Sequence, residues 1–382
     1  MSQIEKLKHL FDVIFYVTSD RRHANYTVLG LLELEKQGVI NLKFKQADYQ
    51  TMNRIILNAQ GEFDRNYRPY PWAPELKVKE RSSGKEIRIA IDLQDWDTMF
   101  SYHSLKNCNV IFKRAFTSAA EKVSEQFNVP ILPAGINHSA SIESKSYRKL
   151  LRAHLWKHNL FYAIKNPKEI FRYLRENTKL QSINPKYNLS PLNTVTVDYL
   201  KEPPSTPFVF FQVEYYDWNN KISNKMNESR AKLIRSLRNS LGERFIGGMY
   251  FKKAGITPYD DCITNVPSER EIYLKFVKQA SVVICTNGFG DSIPWKLPEY
   301  LQMGKCIVAE PLLHKMPVPF KADEVLFFEN LKQCHDLCEK LLQSNILRIK
   351  MEKNTKQYYA NHILPEVSVL KMIEQSFKLS KV

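Results

Sequence analysis

Short apolar runs alternate with helical patterns through the first half of the chain. Residues 11–17 (FDVIFYV) read as a buried strand, 18–26 as a polar loop, 27–37 as a helix and 40–44 as a second strand, a βαβ opening. Further strands are expected at 87–93, 110–112 and 129–132, in a parallel sheet covered by helices. The segment 67–74, YRPYPWAP, reads as a proline-broken surface loop. Residues 145–179 are basic and helical, with cations around Leu150, Trp156, Phe161 and Phe171. Such a segment is either a packed amphipathic helix pair or a face laid on anionic lipid.

A second α/β series follows EPPSTP (202–207), whose prolines resist both helix and ladder and mark a linker. Its strands are expected at 207–213, 245–250, 281–286 and 306–309. Its helices are expected at 227–241, 268–279 with Ser268 as N-cap, and 297–303, with a last helix at 367–379. We therefore expect two domains, 1–200 and 201–382, in keeping with a 382-residue chain that exceeds the usual size of one core.

Fifty-six Lys and Arg against 40 Asp and Glu give +16, which favours a polyanionic partner: nucleic acid, an anionic membrane or a phosphorylated substrate. No arginine-rich tail, zinc-finger spacing or RNP-like strand is present, so nucleic acid is the weaker expectation. Six scattered cysteines without a CxxC pair point to a reducing, cytoplasmic setting without structural zinc, and Cys334 and Cys338 read as core. The N-terminal stretch lacks a signal-peptide cleavage pattern, and no apolar run is long enough to span a bilayer, so any membrane attachment is expected to be peripheral.

The stretch most informative about chemistry is TNGFGDSIPWKLPEYLQMGKCIVAE, residues 286–310. A strand ends in a glycine-containing turn that leads into a helix, so amides from Gly288 to Ser292 and the helix N-terminus can face a diphosphate. Lys296 can add a point charge, and Glu299, roughly one turn on, can accept hydrogen bonds from a ribose diol.

This stretch resembles the donor site of GT-B glycosyltransferases of the group 1 type, through Gly288, Phe289, Gly290, Lys296, Glu299, Tyr300, Leu301, Gly304, Lys305, Ile307 and Val308. A weaker likeness extends to fucosyltransferases and exostosin-type transferases. Asp291 stands eight positions before Glu299, as an acidic residue does in the family, although the glycine segment lies a few residues early. The resemblance implies an α/β fold of two Rossmann-like domains facing a cleft, an N-terminal acceptor domain and a C-terminal donor domain, with the last helix crossing back to the first. It implies that Gly288, Gly290, Asp291, Ser292, Lys296, Glu299 and Arg230 bind the donor, Arg235 being the alternative to Arg230. The nucleotide-diphosphate sugar would be a substrate, with no cofactor and no metal, and the acceptor a hydroxyl of a glycan or lipid-linked glycan.

For the group that takes the acceptor proton, we look to the carboxyl ends of N-terminal strands, where α/β folds place their chemistry. Candidates are Asp20, His23, Asp95, Asp97, His103 and His138, of which Asp95 and His23 are preferred. Two other readings remain: a nucleic-acid-binding protein, and a nucleotide-sugar-binding homologue without activity.

Overall fold

The structure, a computed structural model, describes residues 9–17, 21–47, 53–58, 61–70, 72–137, 200–218, 220–251 and 258–379. The basic segment 145–179 and the candidates Asp20 and His138 lie outside them. Contacts divide the chain into one unit of residues 1–183, 314–318 and 362–382 and a second of 184–313 and 319–361.

The first unit holds strands β1 (Phe11–Val17), β2 (Ile40–Gln46), β3 (Asn53–Leu57), β4 (Phe63–Pro69), β5 (Glu75–Glu80), β6 (Glu86–Asp92), β7 (Met99–Ser101), β8 (Val110–Lys113) and β9 (Ile131–Pro133). Among them run helices α1 (Arg21–Lys36), α2 (Tyr102–Asn107) and α3 (Ser118–Phe127). Six strands form one sheet in the order β2-β1-β5-β6-β8-β9, and β4-β3-β7 form a smaller antiparallel one. The expectation of a parallel sheet is corrected at one place. Strand β5 runs antiparallel to both β1 and β6, inserted between what would be the first and third parallel strands. Its inward residues Leu76 and Val78 alternate with Lys77 and Lys79, a period-two pattern too polar to stand out as an apolar run.

Two other expectations change. The expectation of a surface excursion at 67–74 is corrected at its described residues: Tyr70 and Ala73 are fully buried, and the carbonyls of Trp72 and Pro74 accept from the Leu93 and Ile91 amides at 2.8 and 2.9 Å. Prolines are tolerated there because the segment supplies carbonyls rather than amides. Helix α1 also starts at Arg21, inside the expected loop, because Ala24 and Tyr26 extend its buried face.

The second unit contains β10 (Val209–Glu214), β11 (Phe245–Tyr250), β12 (Val282–Cys285), β13 (Cys306–Ala309) and β14 (Leu326–Phe327). Its helices are α4 (Lys221–Leu241), α5 (Arg270–Gln279), α6 (Leu297–Met303), α7 (Leu331–Gln343) and α8 (Asn345–Tyr358). Helix α4 begins six residues before the expected 227 because Asn220 and Ser223 close a reciprocal capping box. Ser268 does not cap α5; Glu269 occupies that position, without a side-chain bond. All five strands are parallel in the order β11-β10-β12-β13-β14. This is the doubly wound 2-1-3-4-5 arrangement, whose strand order reverses between β10 and β12. The two diverge there: β10 pairs with β12 only at Val209 and Phe210, whereas its ladder to β11 runs through Glu214. On the β11 side the backbone comes so close that a Cβ on Gly247, where φ is +132°, would run into the Phe211 carbonyl.

The last helix, α9 (Pro365–Leu379), belongs to the first unit and packs on α1. Val369, Met372, Ile373 and Phe377 join Phe11, Phe15 and Leu31 in one core, and the Tyr26 hydroxyl donates to the Ile363 carbonyl at 2.5 Å. Gly30 permits the approach, since a Cβ there would meet the Pro365 carbonyl and lie 2.9 Å from Val369. No helix among the described residues is long and apolar enough to cross a membrane.

Candidate functional site

Strands β10 and β12 part at their carboxyl ends, and in α/β sheets a strand-order reversal of this kind is the crevice that takes ligands. Two cations converge on it. Arg230, on α4 and 6 % exposed, donates to the carbonyls of Glu214 at 3.0 Å and Asn287 at 3.4 Å, and lies 5.1 Å from the centre of the Tyr216 ring. Lys296, just before α6, donates to the Gln212 carbonyl on the free edge of β10, with its ammonium 4.8 Å from the Tyr273 ring centre. No described carboxylate forms an ion pair with either cation. Burial pushes the Lys296 ammonium down to about 8; Glu299 opposes the shift and Arg230 adds to it.

Around these cations lie polar groups with capacity to spare. The Thr286 hydroxyl and the Asn287 side-chain carbonyl are buried without a partner among the described residues. Buried orphans of this kind mark a place for water or ligand. Glu310, at the end of β13, accepts from the Asn287 amide at 2.8 Å, and burial raises its carboxyl above the ordinary value.

The turn spends some of its own amides. The Gly288 amide is spent on the Ser292 carbonyl at 2.8 Å, and the Ser292 amide on the Phe289 carbonyl at 3.4 Å. Gly290 and Asp291 both adopt positive φ, 63° and 62°, in a tight turn. Residues 292–296 separate that turn from α6, whose Leu297 amide donates to Pro294 and whose next residue, Pro298, has no amide hydrogen. The Gly288 and Ser292 amides are thus engaged within the turn, and the positive charge nearby comes from the side chains of Arg230 and Lys296. Glu299 is held by Arg270 of α5 in a two-point pair at 2.8 and 3.0 Å, with its side chain 25 % exposed. Arg235, the alternative to Arg230, pairs with Asp261 instead.

In the first unit, Asp95 engages the buried Arg114 guanidinium, which anchors the loop after β6. Asp97 accepts from Thr117 at 2.9 Å, and His103 lies 3.6 Å from Glu75. His23 is half-buried in the first turn of α1, after the carboxyl end of β1, and its carbonyl accepts from Asn137 at 2.9 Å. Sequence reasoning missed the buried cluster of Tyr70, Asp92 and Lys113. The Tyr70 hydroxyl donates to Asp92 at 2.8 Å, and the Lys113 ammonium lies 3.5 Å from Asp92 and 2.7 Å from the Met99 carbonyl. Burial raises the Asp92 carboxyl and lowers the Lys113 ammonium, each opposed by the other's charge. The signal was present in an aspartate ending an apolar strand and in IFKRAF, where two cations interrupt an apolar run. Arg270 and Gln212 were missed as well, since only the fold brings them to Glu299 and Lys296.

Fold and site together define a two-unit α/β protein whose second unit carries a cationic crevice at a strand-order reversal. No protein-family model matches the chain, and no curated protein matches it. Among solved structures it is similar to the C-terminal domain of a glycosyl transferase group 1 family protein, LpcC, from Francisella tularensis: 13% identity, 44% of this chain and 96% of that one, TM-score 0.30. It is also similar to WaaG, a glycosyltransferase involved in lipopolysaccharide biosynthesis: 13% identity, 69% of this chain and 62% of that one, TM-score 0.34. A third similarity is to a UDP-N-acetylglucosamine 2-epimerase: 12% identity, 98% and 97% coverage, TM-score 0.36.

Proposed function

We propose that the chain is a GT-B glycosyltransferase that moves a sugar from a nucleotide-diphosphate donor to a hydroxyl of a glycan or lipid-linked glycan. The reading rests on one observation: Arg230 and Lys296 meet at the β10/β12 crevice with carbonyls, not described carboxylates, as partners. Two cations in a confined space repel one another, and a diphosphate removes that cost while gaining charge-assisted bonds. In the transfer step the same cations would offset the charge that grows on the departing nucleoside diphosphate, so no metal is called for. Glu299, oriented by Arg270, would accept from the ribose, and the turn from Gly288 through Gly290 and Asp291 to Ser292 would border the sugar.

On the acceptor side, His23 is our candidate base, because it stands at the carboxyl end of β1. Asp95 would act by fixing Arg114 and the loop after β6. An anionic membrane surface met by residues 145–179, on a cytoplasmic protein, belongs to the same proposal.

Thermal unfolding with a panel of nucleoside diphosphates and their sugar derivatives tests it. A site-specific ligand at a hundredfold excess over its Kd stabilises by about 2.7 kcal/mol. Lack of stabilisation by every member, or steeply salt-dependent oligonucleotide binding in its place, would overturn the reading. A nucleotide-sugar-binding protein without turnover is the second reading, favoured by the engagement of Asp95 with Arg114. Absence of nucleotide release from every bound sugar nucleotide, with or without acceptor, would support it.

A further inference from the structure

Trp218, in the loop between β10 and α4, is 54 % exposed, although burying an indole removes much apolar surface from water. Its ring is nevertheless held. Tyr216 lies beside it at 4.9 Å between centroids with a 33° tilt, and Phe289 meets it edge-on at 4.7 Å. Tyr216 is itself fixed, because its amide and carbonyl are both bonded to the Asn227 side chain, at 3.1 and 2.8 Å. The Arg230 guanidinium also lies 5.1 Å from the centre of the Tyr216 ring. Thus one aromatic ring links the cationic crevice to an indole that is packed against two rings and open to solvent. Phe289 sits between the two glycines of the 288–290 turn, and the carboxylates that neighbour the two rings in sequence, Asp217 and Asp291, are both exposed.

We infer that Trp218 is a stacking platform for a hexopyranose ring. The C–H face of a pyranose carries slight positive charge and suits the negative face of an indole. Exposed carboxylates close to the rings in sequence, Asp217 one residue from Trp218 and Asp291 two from Phe289, would accept from sugar hydroxyls while repelling a phosphate or nucleic-acid backbone. A ring packed against two neighbours has less freedom to lose when a ligand covers it. The inference deepens the proposed function by placing a sugar at the rim of the crevice, as part of the donor or of the acceptor.

Binding of UDP, GDP, UDP-glucose, UDP-N-acetylglucosamine, GDP-mannose and an array of neutral oligosaccharides is measured for the full chain, W218A and W218F. The expected result is that W218A weakens sugar-bearing probes roughly five- to tenfold, W218F recovers most of the loss, and the sugar-free nucleotides are unaffected. A loss confined to nucleotide sugars assigns the platform to the donor, and one confined to oligosaccharides to the acceptor. Equal binding of every sugar-bearing probe by W218A and the unaltered chain overturns the inference, as does failure of all of them to bind. An equal loss for UDP and UDP-sugars also overturns it, since the indole would then stack a base. Oligosaccharide binding through Trp218 without any nucleotide binding would sink the donor-site reading and leave the platform standing.

Discussion

If Lys296 grips a diphosphate, affinity must follow its ammonium rather than an ordinary lysine. Its value of about 8 lies well below the usual 10.5, because burial disfavours the charge and Arg230 repels it. In the free protein roughly nine in ten copies are charged at pH 7 and roughly one in ten at pH 9, while a terminal phosphate, with its second pKa near 6, is already about nine-tenths ionised at pH 7 and fully so at pH 9. Nucleoside diphosphate affinity should therefore fall by up to about tenfold over that interval, with proton uptake on binding above pH 8 that appears as a buffer-dependent heat. Lys296→Ala should weaken binding at pH 7 by about 1.5–3 kcal/mol, the usual worth of a charge-assisted contact, and should flatten the profile. The sign for stability is opposite. Between about 8 and 10.5 the unfolded chain holds a proton that the folded one has released, so this group makes stability rise with pH there. Calorimetric titration at pH 7, 8 and 9 decides the matter. An unaltered chain with pH-independent affinity, or a K296A variant that binds equally well, would remove Lys296 from the site.

Glu299→Gln should lower nucleoside diphosphate affinity roughly tenfold while leaving inorganic pyrophosphate unaffected, since only the former carries a ribose; equal losses in a competition assay would contradict that role. Tyr70→Phe takes a hydroxyl from the buried Asp92 carboxylate and should destabilise by about 1.5–3 kcal/mol in denaturant unfolding, and a change within the error of that measurement would count against the cluster. Gly30→Ala puts a methyl against Pro365 and Val369 and should cost about 1–3 kcal/mol, with faster tryptic cleavage at Lys371 and Lys378 on α9. Unchanged proteolysis would mean that α1 and α9 tolerate the extra atom.

Four of the five strands of the second unit were legible, because parallel strands buried on both faces read as unbroken apolar runs such as PFVFFQV and SVVICT; the two-residue β14 is too short to register. Strands β3, β4, β5 and β7 were not, because antiparallel strands alternate. In β4, FDRNYRP, the apolar content is too low to register. The proline-rich stretch before β5 misled for a related reason: its burial depends on β6 lying beside it. At the site, Lys296, Glu299 and Arg230 could be singled out from residue type and spacing. Their partners could not, since Gln212 is 84 residues from Lys296 and Arg270 lies on a different helix from Glu299.

The seat of α9 has a bearing on how the chain acquires its structure. Tyr26 and Ile363, joined by a hydrogen bond, stand 337 residues apart, and the N-terminal core lacks four of its apolar side chains until α9 arrives. During synthesis the opening sheet would wait with that groove uncovered while the remainder is translated, whereas the parallel sheet that follows can close from residues nearer in sequence. A stop codon shortly before Pro365 should accordingly damage the first unit more than the second.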